Sequence, residues 1–232
     1  MTVTPHCSSV AFDTIAPGPF IVGIGGTLRD GSSSERALQI ALSEARRRGA
    51  RTRIFAGNLL NFPAYDPTTA MQSAAAIELI DALRRADGII IASPSYHGAI
   101  SGLIKNALDY TEDLRSDRRI YFSDRAVGTI ICADGVQAMG STLSTLRAIV
   151  HALRGWPTPF SAVVNAALKP FAADGTCLDP LVAQQLAFVA EQVVEFARMR
   201  QAYESFAELE PARKQSNPKG ARLIELTLEF MN

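Results

Sequence analysis

Short apolar runs alternate with longer helical patterns along most of this chain, and this alternation restricts its fold more than any other feature. The clearest run, residues 88–93, reads Gly-Ile-Ile-Ile-Ala-Ser and contains no charged side chain. A continuous apolar run of this length is typical of a strand that is covered on both faces. Four further strands are predicted, at 20–25, 51–56, 126–132 and 159–164. Helices are predicted between and after them, at 34–48, 73–86, 102–113, 140–153 and 181–206.

The order of these elements predicts how they pack. Strands that alternate with helices of about ten or more residues form right-handed crossovers and a parallel sheet. We therefore expect an α/β fold, a doubly wound five-stranded parallel sheet with helices on both faces. In such a sheet the ligand-binding loops lie at the carboxyl ends of the strands.

The chain divides into a central domain and two flanking segments. Residues 20–204 contain nearly all of the predicted strands and helices, and residues 1–19, rich in proline and glycine towards their end, are predicted to be an N-terminal extension. Residues 205–232 are predicted to be a C-terminal tail that carries an apolar stretch at 223–230. An apolar segment outside the domain must be buried somewhere, and contact with another subunit is one candidate.

Composition and charge exclude several classes of protein. Lys and Arg together number 23, as do Asp and Glu, so the formal net charge is zero and nothing favours nucleic acid or an anionic membrane as a partner. No run of about 20 apolar residues could span a bilayer, and the N-terminus lacks a signal-peptide pattern, so we expect a cytoplasmic protein. The three cysteines and three histidines are too scattered to predict a disulfide framework or a metal site.

The loop at residues 25–36 lies between the first strand and the first helix, and its spacing excludes two common nucleotide-binding loops. Leu28 stands where the dinucleotide fingerprint would need its third glycine, and the second strand ends without an acid for a ribose hydroxyl. Ser32 stands where an ATP-type P-loop would need its lysine. Both of these interpretations therefore fail.

What remains is a loop rich in hydroxyl groups at the start of a helix, where free N–H groups and the helix dipole favour anions. Thr27, Ser32, Ser33 and Ser34 can donate hydroxyl hydrogen bonds, and Arg29 can supply positive charge. Such a site suits a terminal monophosphate held without a metal ion. The alternative is that Ser34 only caps the helix and the glycines form a tight turn.

Two further loops follow the third and fourth strands and should meet the first loop at the same sheet edge. In residues 93–102, Pro94 stiffens the chain, Gly98 permits close approach, and Tyr96 and His97 offer flat faces for a planar ligand. His97 invites interpretation as a general base, but no G-x-S-x-G nucleophile is present for it to serve. Residues 133–141 form the third loop, with a plain strand-to-helix turn as the alternative interpretation.

Two of these stretches resemble motifs of a known family. Residues 26–32, Gly-Thr-Leu-Arg-Asp-Gly-Ser, are similar to the phosphate loop G-S-x-R-x-x-S, with threonine in place of the usual serine. Residues 93–98 and 103–109 are similar to [TS]-P-x-Y-[NH]-x and x-x-L-K-N-A-[LI]-D. At this spacing, residues 20–200 resemble the flavodoxin-like NAD(P)H-dependent FMN reductases.

The resemblance implies a flavodoxin-like sheet and an FMN site that no composition or spacing argument gives alone. The phosphate would be held by Thr27, Arg29, Ser32 and Ser34. The ribityl chain and isoalloxazine ring would lie against Pro94, Ser95, Tyr96, His97 and Gly98. Asp134 and Gly135 would contact the ring from the third loop, where this chain departs from the paired glycines of many family members.

The resemblance also implies an activity. NADPH or NADH would pass a hydride to N5 of FMN, so no side chain is predicted to be catalytic. The resemblance implies that the chain assembles as a homodimer or homotetramer. It also implies a monooxygenase partner that receives reduced FMN. Two alternatives stay open: a reductase of quinones, azo compounds or metal oxyanions with tightly held FMN, and an electron carrier without NAD(P)H activity. A strongly negative charge would be expected of the carrier, whereas the net charge here is zero.

Overall fold

A computed structural model describes residues 18–68 and 73–216. Its strands are β1 (Phe20–Gly25), β2 (Arg51–Ala56), β3 (Gly88–Tyr96), β4 (Ala99–Ile100), β5 (Ala126–Ala133), β6 (Trp156–Pro157) and β7 (Ala162–Asn165). Its α-helices are α1 (Ser33–Arg47), α2 (Ala74–Arg85), α3 (Gly102–Asp109), α4 (Val136–Ala152) and α5 (Pro180–Ser216). Strands and helices alternate in the predicted order.

The main sheet is parallel and has the order β2-β1-β3-β5, with β6 and β7 both paired to β5 at the far edge. This is the flavodoxin-like order, which places the switch point between β1 and β3. The predicted doubly wound five-stranded parallel sheet is therefore confirmed. The short strand β4 adds an antiparallel hairpin to the end of β3.

The fifth position of the sheet differs from the predicted continuous strand at 159–164. Residues 158–161 leave the sheet between β6 and β7, and they include Pro159, which has no N–H to donate to a ladder. Arg147 fills the gap by donating from one guanidinium nitrogen to Thr158 O, at 2.7 Å, and to Ser161 Oγ, at 3.1 Å. A side chain from α4 thus binds the segment that interrupts the edge strand.

Helices cover both faces of the sheet, as predicted. One core contains the buried faces of α1 and α5, and the other contains those of α2, α3 and α4. Gly128 shows how closely α5 approaches, because a Cβ at this position would lie 2.5 Å from Val189 Cγ1. This tight packing accounts for a glycine in the middle of the most buried strand.

Several helix ends differ from the predicted ones. Helix α4 begins at Val136, four residues before the predicted start, because Gly140 is accommodated inside the helix. Helix α3 ends at Asp109 and is followed by a 3-10 turn, Tyr110–Leu114. Helix α5 continues to Ser216, so the predicted domain boundary at 204 falls inside it.

Residues 1–17 of the predicted N-terminal extension and the apolar part of the predicted C-terminal tail, residues 223–230, lie outside the described residues. Within 18–68 and 73–216, no helix is long and apolar enough to cross a membrane.

Candidate functional site

The loops after β1, β3 and β5 meet at one edge of the sheet and enclose a cleft of about 160 Å³. The cleft contains most of the predicted site residues: Thr27, Arg29, Ser32, Ser34, Pro94, Ser95, Tyr96 and Asp134. Its remaining lining consists of Ser33, Cys132, Ala133 and Ala166. The convergence predicted from the strand order is therefore present in the structure.

The first loop presents a helix N-terminus to this cleft. Ser32 is the N-cap of α1, and its hydroxyl accepts a hydrogen bond from Glu35 N at 3.3 Å. The hydroxyl of Ser34 lies 3.4 Å from that of Ser32, and both residues are almost fully buried. In the part of the chain that the structure describes, the N–H groups of Ser33 and Ser34 have no acceptor. Donors left free at a helix start are suited to an anion.

The alternative interpretation of this loop is that Ser34 only caps the helix, and the position of the N-cap bears on it directly. The cap is Ser32 and not Ser34, so helix capping does not explain the buried hydroxyl of Ser34. Thr27 is used within the loop, because its hydroxyl accepts from Arg29 N at 3.1 Å and lies 3.2 Å from Arg29 O. The exposed guanidinium of Arg29 makes no hydrogen bond or salt bridge to the described residues, so it is available to a ligand.

The second loop is a tight hairpin between β3 and β4. His97 and Gly98 form its turn and both have positive φ, 53° and 80°, as a two-residue type I′ turn requires. Ser93 closes the base of the loop: its buried hydroxyl donates to Pro94 O at 2.7 Å and accepts from Ser101 N at 3.1 Å. Tyr96 precedes the turn, with 53% of its surface exposed, and lines the cleft.

Hydroxyl groups attach this hairpin to the first turns of α4. Ser95 Oγ lies 2.6 Å from Thr142 Oγ1 and 3.2 Å from Ala138 O. Ser141 Oγ donates to Gly98 O at 3.0 Å. Ser95 was predicted to contact the ligand, yet its hydroxyl already has protein partners. Thr142 and Ser141 carry no sequence signal for this role, because the sequence pattern predicts a loop or a helix start in this part of α4.

His97, Gly98 and Gly135 do not line the cleft. The first two lie at the hairpin tip, and Gly135 is the N-cap of α4. Their predicted contacts with a flavin therefore stay predictions. Asp134 is exposed at the third loop and does line the cleft.

The inner wall of the cleft is apolar and was not predicted to be part of the site. Cys132 and Ala133 end β5, and Ala166 follows β7, so the rule that ligands bind at strand ends could have found them. Burial raises the pKa of the Cys132 thiol to about 12, so the thiol is protonated and uncharged at neutral pH and does not act as a nucleophile. Within the described residues there is no cluster of His, Cys, Asp and Glu that could hold a metal ion.

These features fit the phosphate end of FMN. The N–H groups of Ser33 and Ser34 and the Arg29 guanidinium, which have no partner among the described residues, form with the Ser34 hydroxyl a donor set suited to a phosphate beside the apolar wall. The cleft is smaller than the roughly 300–1,000 Å³ of pockets that enclose a whole ligand. A flavin would therefore be enclosed only in part.

Comparison with known proteins identifies the family. Residues 19–168 match the model of the NADPH-dependent FMN reductase family. This chain belongs to that family. The resemblance predicted from residues 26–32 and 93–109 is confirmed.

A curated relative is an FMN-dependent NADPH-azoreductase from Staphylococcus aureus. It is 42% identical over 74 residues, which are 32% of this chain and 36% of the relative. The match thus spans about a third of the relative's length.

Solved structures agree with the fold. A NADH:FMN oxidoreductase has a TM-score of 0.57 at 20% identity, over 78% of this chain and 89% of the other. A flavoenzyme NAD(P)H:(acceptor) oxidoreductase from Paracoccus denitrificans has a TM-score of 0.59 at 18% identity, over 78% of this chain and 98% of the other. At these identities the similarity supports the flavodoxin-like fold.

Proposed function

We propose that this protein is an NAD(P)H:FMN oxidoreductase. The observation that carries the proposal is the start of α1, where a buried serine pair faces the cleft together with N–H groups and an Arg29 guanidinium that have no partner within residues 18–68 and 73–216. Membership of the NADPH-dependent FMN reductase family supports FMN as the ligand and NADPH or NADH as the hydride donor. When bound, the flavin supplies the redox chemistry, accepting a hydride and passing electrons on.

The protein's own residues bind and orient in this proposal. Ser32, Ser33 and Ser34 hold the phosphate through N–H and hydroxyl groups, while Arg29 adds charge and Thr27 keeps the loop closed. Pro94, Ser95 and Tyr96 form the wall for the ribityl chain and the ring. His97, Gly98, Asp134 and Gly135 lie on the loops around that wall, where they would contact the exposed part of the ring or the nucleotide. No side chain is needed to transfer a proton.

A second candidate is a reductase that keeps its FMN and acts on another acceptor. The Staphylococcus aureus relative is an azoreductase, which favours an azo compound as that acceptor, and quinones or metal oxyanions are further candidates. An electron carrier without NAD(P)H activity is the third. We also propose a homodimer or homotetramer in the cytoplasm, with a monooxygenase as one recipient of reduced FMN.

The deciding experiment mixes purified protein with FMN and NADPH or NADH and follows the absorbance at about 340 nm. Oxidation of either nucleotide is expected, and its absence with both would refute both enzyme proposals. Dialysis separates them, because a protein that stays yellow retains FMN, whereas one that becomes colourless uses FMN as a substrate.

Replacing Arg29 with alanine tests the phosphate end of the site. We expect the Kd for FMN to rise by about 10-fold to 100-fold, since a hydrogen bond to a charged group contributes about 1.5–3 kcal/mol. The Kd for riboflavin, which has no phosphate, should change little. Arg47→Ala is the matched control, because this exposed arginine lies in the last turn of α1 and pairs with Glu44. Equal weakening of both flavins by Arg29→Ala would show that this loop does not hold the phosphate.

A further inference from the structure

The phosphate loop contains an acidic side chain that already occupies one of its donors. Glu35 Oε2 accepts a hydrogen bond from Gly31 N at 3.0 Å. Its other oxygen, Oε1, accepts from Gln39 Nε2 at 3.1 Å. Both carboxylate oxygens are therefore held. Neither Glu35 nor Gly31 lines the cleft, so the negative charge lies in the same loop as the proposed phosphate site but beside it.

The backbone of the loop is shaped around this side chain. Gly26, where the chain leaves β1, has a φ of +92°, and a Cβ there would lie 3.2 Å from Glu35 Cβ. Gly31 also has a positive φ, 63°, and presents its N–H to the carboxylate. The Glu35 side chain thus packs beside Gly26 and binds Gly31, and a Cβ at Gly26 would crowd it.

Glu35 also stabilises the start of α1. Its N–H donates to the N-cap Ser32, and a carboxylate in the first turn of a helix interacts favourably with the helix dipole. The same charge opposes a phosphate bound at the start of α1, because two negative charges at one helix N-terminus repel each other through space without direct contact.

Building on the proposed function, we propose that Glu35 lowers the affinity of the site for the phosphate of FMN and so keeps FMN exchangeable. Glu35 is a specificity-determining residue in this proposal and not a catalytic one. It reduces the ratio of the riboflavin Kd to the FMN Kd, which measures how much the phosphate adds to binding. The loop gains its shape from the carboxylate and loses part of its attraction for an anion.

The test is Glu35→Gln, which keeps an oxygen acceptor for Gly31 N and removes the charge. The measured quantity is the ratio of the riboflavin Kd to the FMN Kd, obtained by titration of flavin fluorescence. We expect the FMN Kd to fall by about 5-fold while the riboflavin Kd is unchanged, since this is the size of the repulsion between two like charges close together in a solvated loop. The gain should shrink as salt is raised, because added ions screen the lost repulsion.

Glu44→Gln is the matched control, because it removes the same charge from the same helix more than two turns away and should leave both Kd values unchanged. Glu35→Ala is a second variant without the charge, and its ratio should also rise above that of the wild type, even if its loop is less well formed. An unchanged or lower ratio in both Glu35 variants, or equal tightening of FMN and riboflavin, would overturn the inference. Failure of the wild type to bind either flavin would instead refute the proposed function.

Discussion

Replacing Thr142 with valine tests whether hydroxyl groups hold the hairpin that carries Tyr96. Thr142 is fully buried, and its Oγ1 lies 2.6 Å from Ser95 Oγ. Valine has nearly the same shape as threonine, so the substitution removes the hydroxyl group without opening a large cavity. Water cannot take its place, because the position is inaccessible to solvent.

The expected loss of stability follows from what Ser95 retains. Ser95 Oγ also lies 3.2 Å from Ala138 O, and a hydroxyl has only one proton to donate. In the valine variant Ser95 can still donate to this carbonyl and loses only its contact with Thr142. The cost should therefore be about 1 kcal/mol, the low end of the range of roughly 1–3 kcal/mol for a buried polar group left unsatisfied. For a domain of this size, the Tm should fall by about 2–4 °C.

Flavin binding separates a positioning role from a purely structural one. Tyr96 follows Ser95 directly, so we expect Thr142→Val to weaken FMN and riboflavin alike, by about 5-fold if the whole 1 kcal/mol is lost from binding. This differs from Arg29→Ala, which should affect FMN alone. Titration of flavin fluorescence measures both Kd values, and thermal unfolding followed by circular dichroism measures the Tm.

Thr142→Ser is the matched control for this prediction, because it keeps the hydroxyl and removes only the methyl group. Its Tm can fall through the small cavity left behind, but its flavin affinity should stay close to that of the wild type. Loss of flavin affinity in Thr142→Ser as large as in Thr142→Val would refute the reasoning, since the hydroxyl would then not be the group that positions the hairpin.

Two further predictions concern the sheet. Gly128→Ala should lower the free energy of unfolding by about 1–3 kcal/mol, because the added Cβ would lie 2.5 Å from Val189 Cγ1. Gly102→Ala is the control, because a Cβ added there would meet open space and should not lower the free energy of unfolding. Urea unfolding measures both variants, and equal effects would contradict the packing argument. Burial raises the pKa of Cys132 from 9.0 to about 12, so the folded state keeps a proton that the unfolded state releases between these values, and stability should fall as pH rises from about 9 to 12. In a Cys7→Ser, Cys177→Ser variant, a thiol reagent at about pH 8.5 should modify the native protein far more slowly than the urea-unfolded protein, and similar rates would contradict the burial of Cys132.

The sheet and the first loop could be predicted because their signals are local. The strand β3 is a run of apolar residues, and β1 and β5 are similar, so their type follows from the sequence alone. Gly31 and the serines at 32–34 also indicate a turn into a helix, although the helix begins at Ser33 and its cap is Ser32 and not Ser34. The order of the elements then places the loops at a common edge by the general rule for parallel sheets.

Contacts between distant residues could not be predicted in this way. The 2.6 Å contact between Ser95 and Thr142 joins residues 47 positions apart, and no pattern indicates which hydroxyl faces which. Helix α4 was predicted to begin at 140 because Gly135 and Gly140 both suggest a loop, yet the helix includes Gly140. A single glycine inside a helix costs only about 1 kcal/mol, which tertiary contacts can offset.

Asn106 shows that a family motif can identify a site without each of its residues touching the ligand. It lies in the stretch 103–109, which supported the resemblance to FMN reductases, but it does not line the cleft. Its amide accepts from Tyr65 N at 2.9 Å and donates to Pro63 O at 3.0 Å, so it fastens the loop after β2 onto α3. Tyr110 OH donates to the same carbonyl of Pro63 at 3.1 Å. Asparagine suits this position because one side chain must both accept from and donate to the backbone, which aspartate cannot do. This residue of the motif therefore serves folding, whereas the proposed FMN site lies at the loops that follow the strand ends.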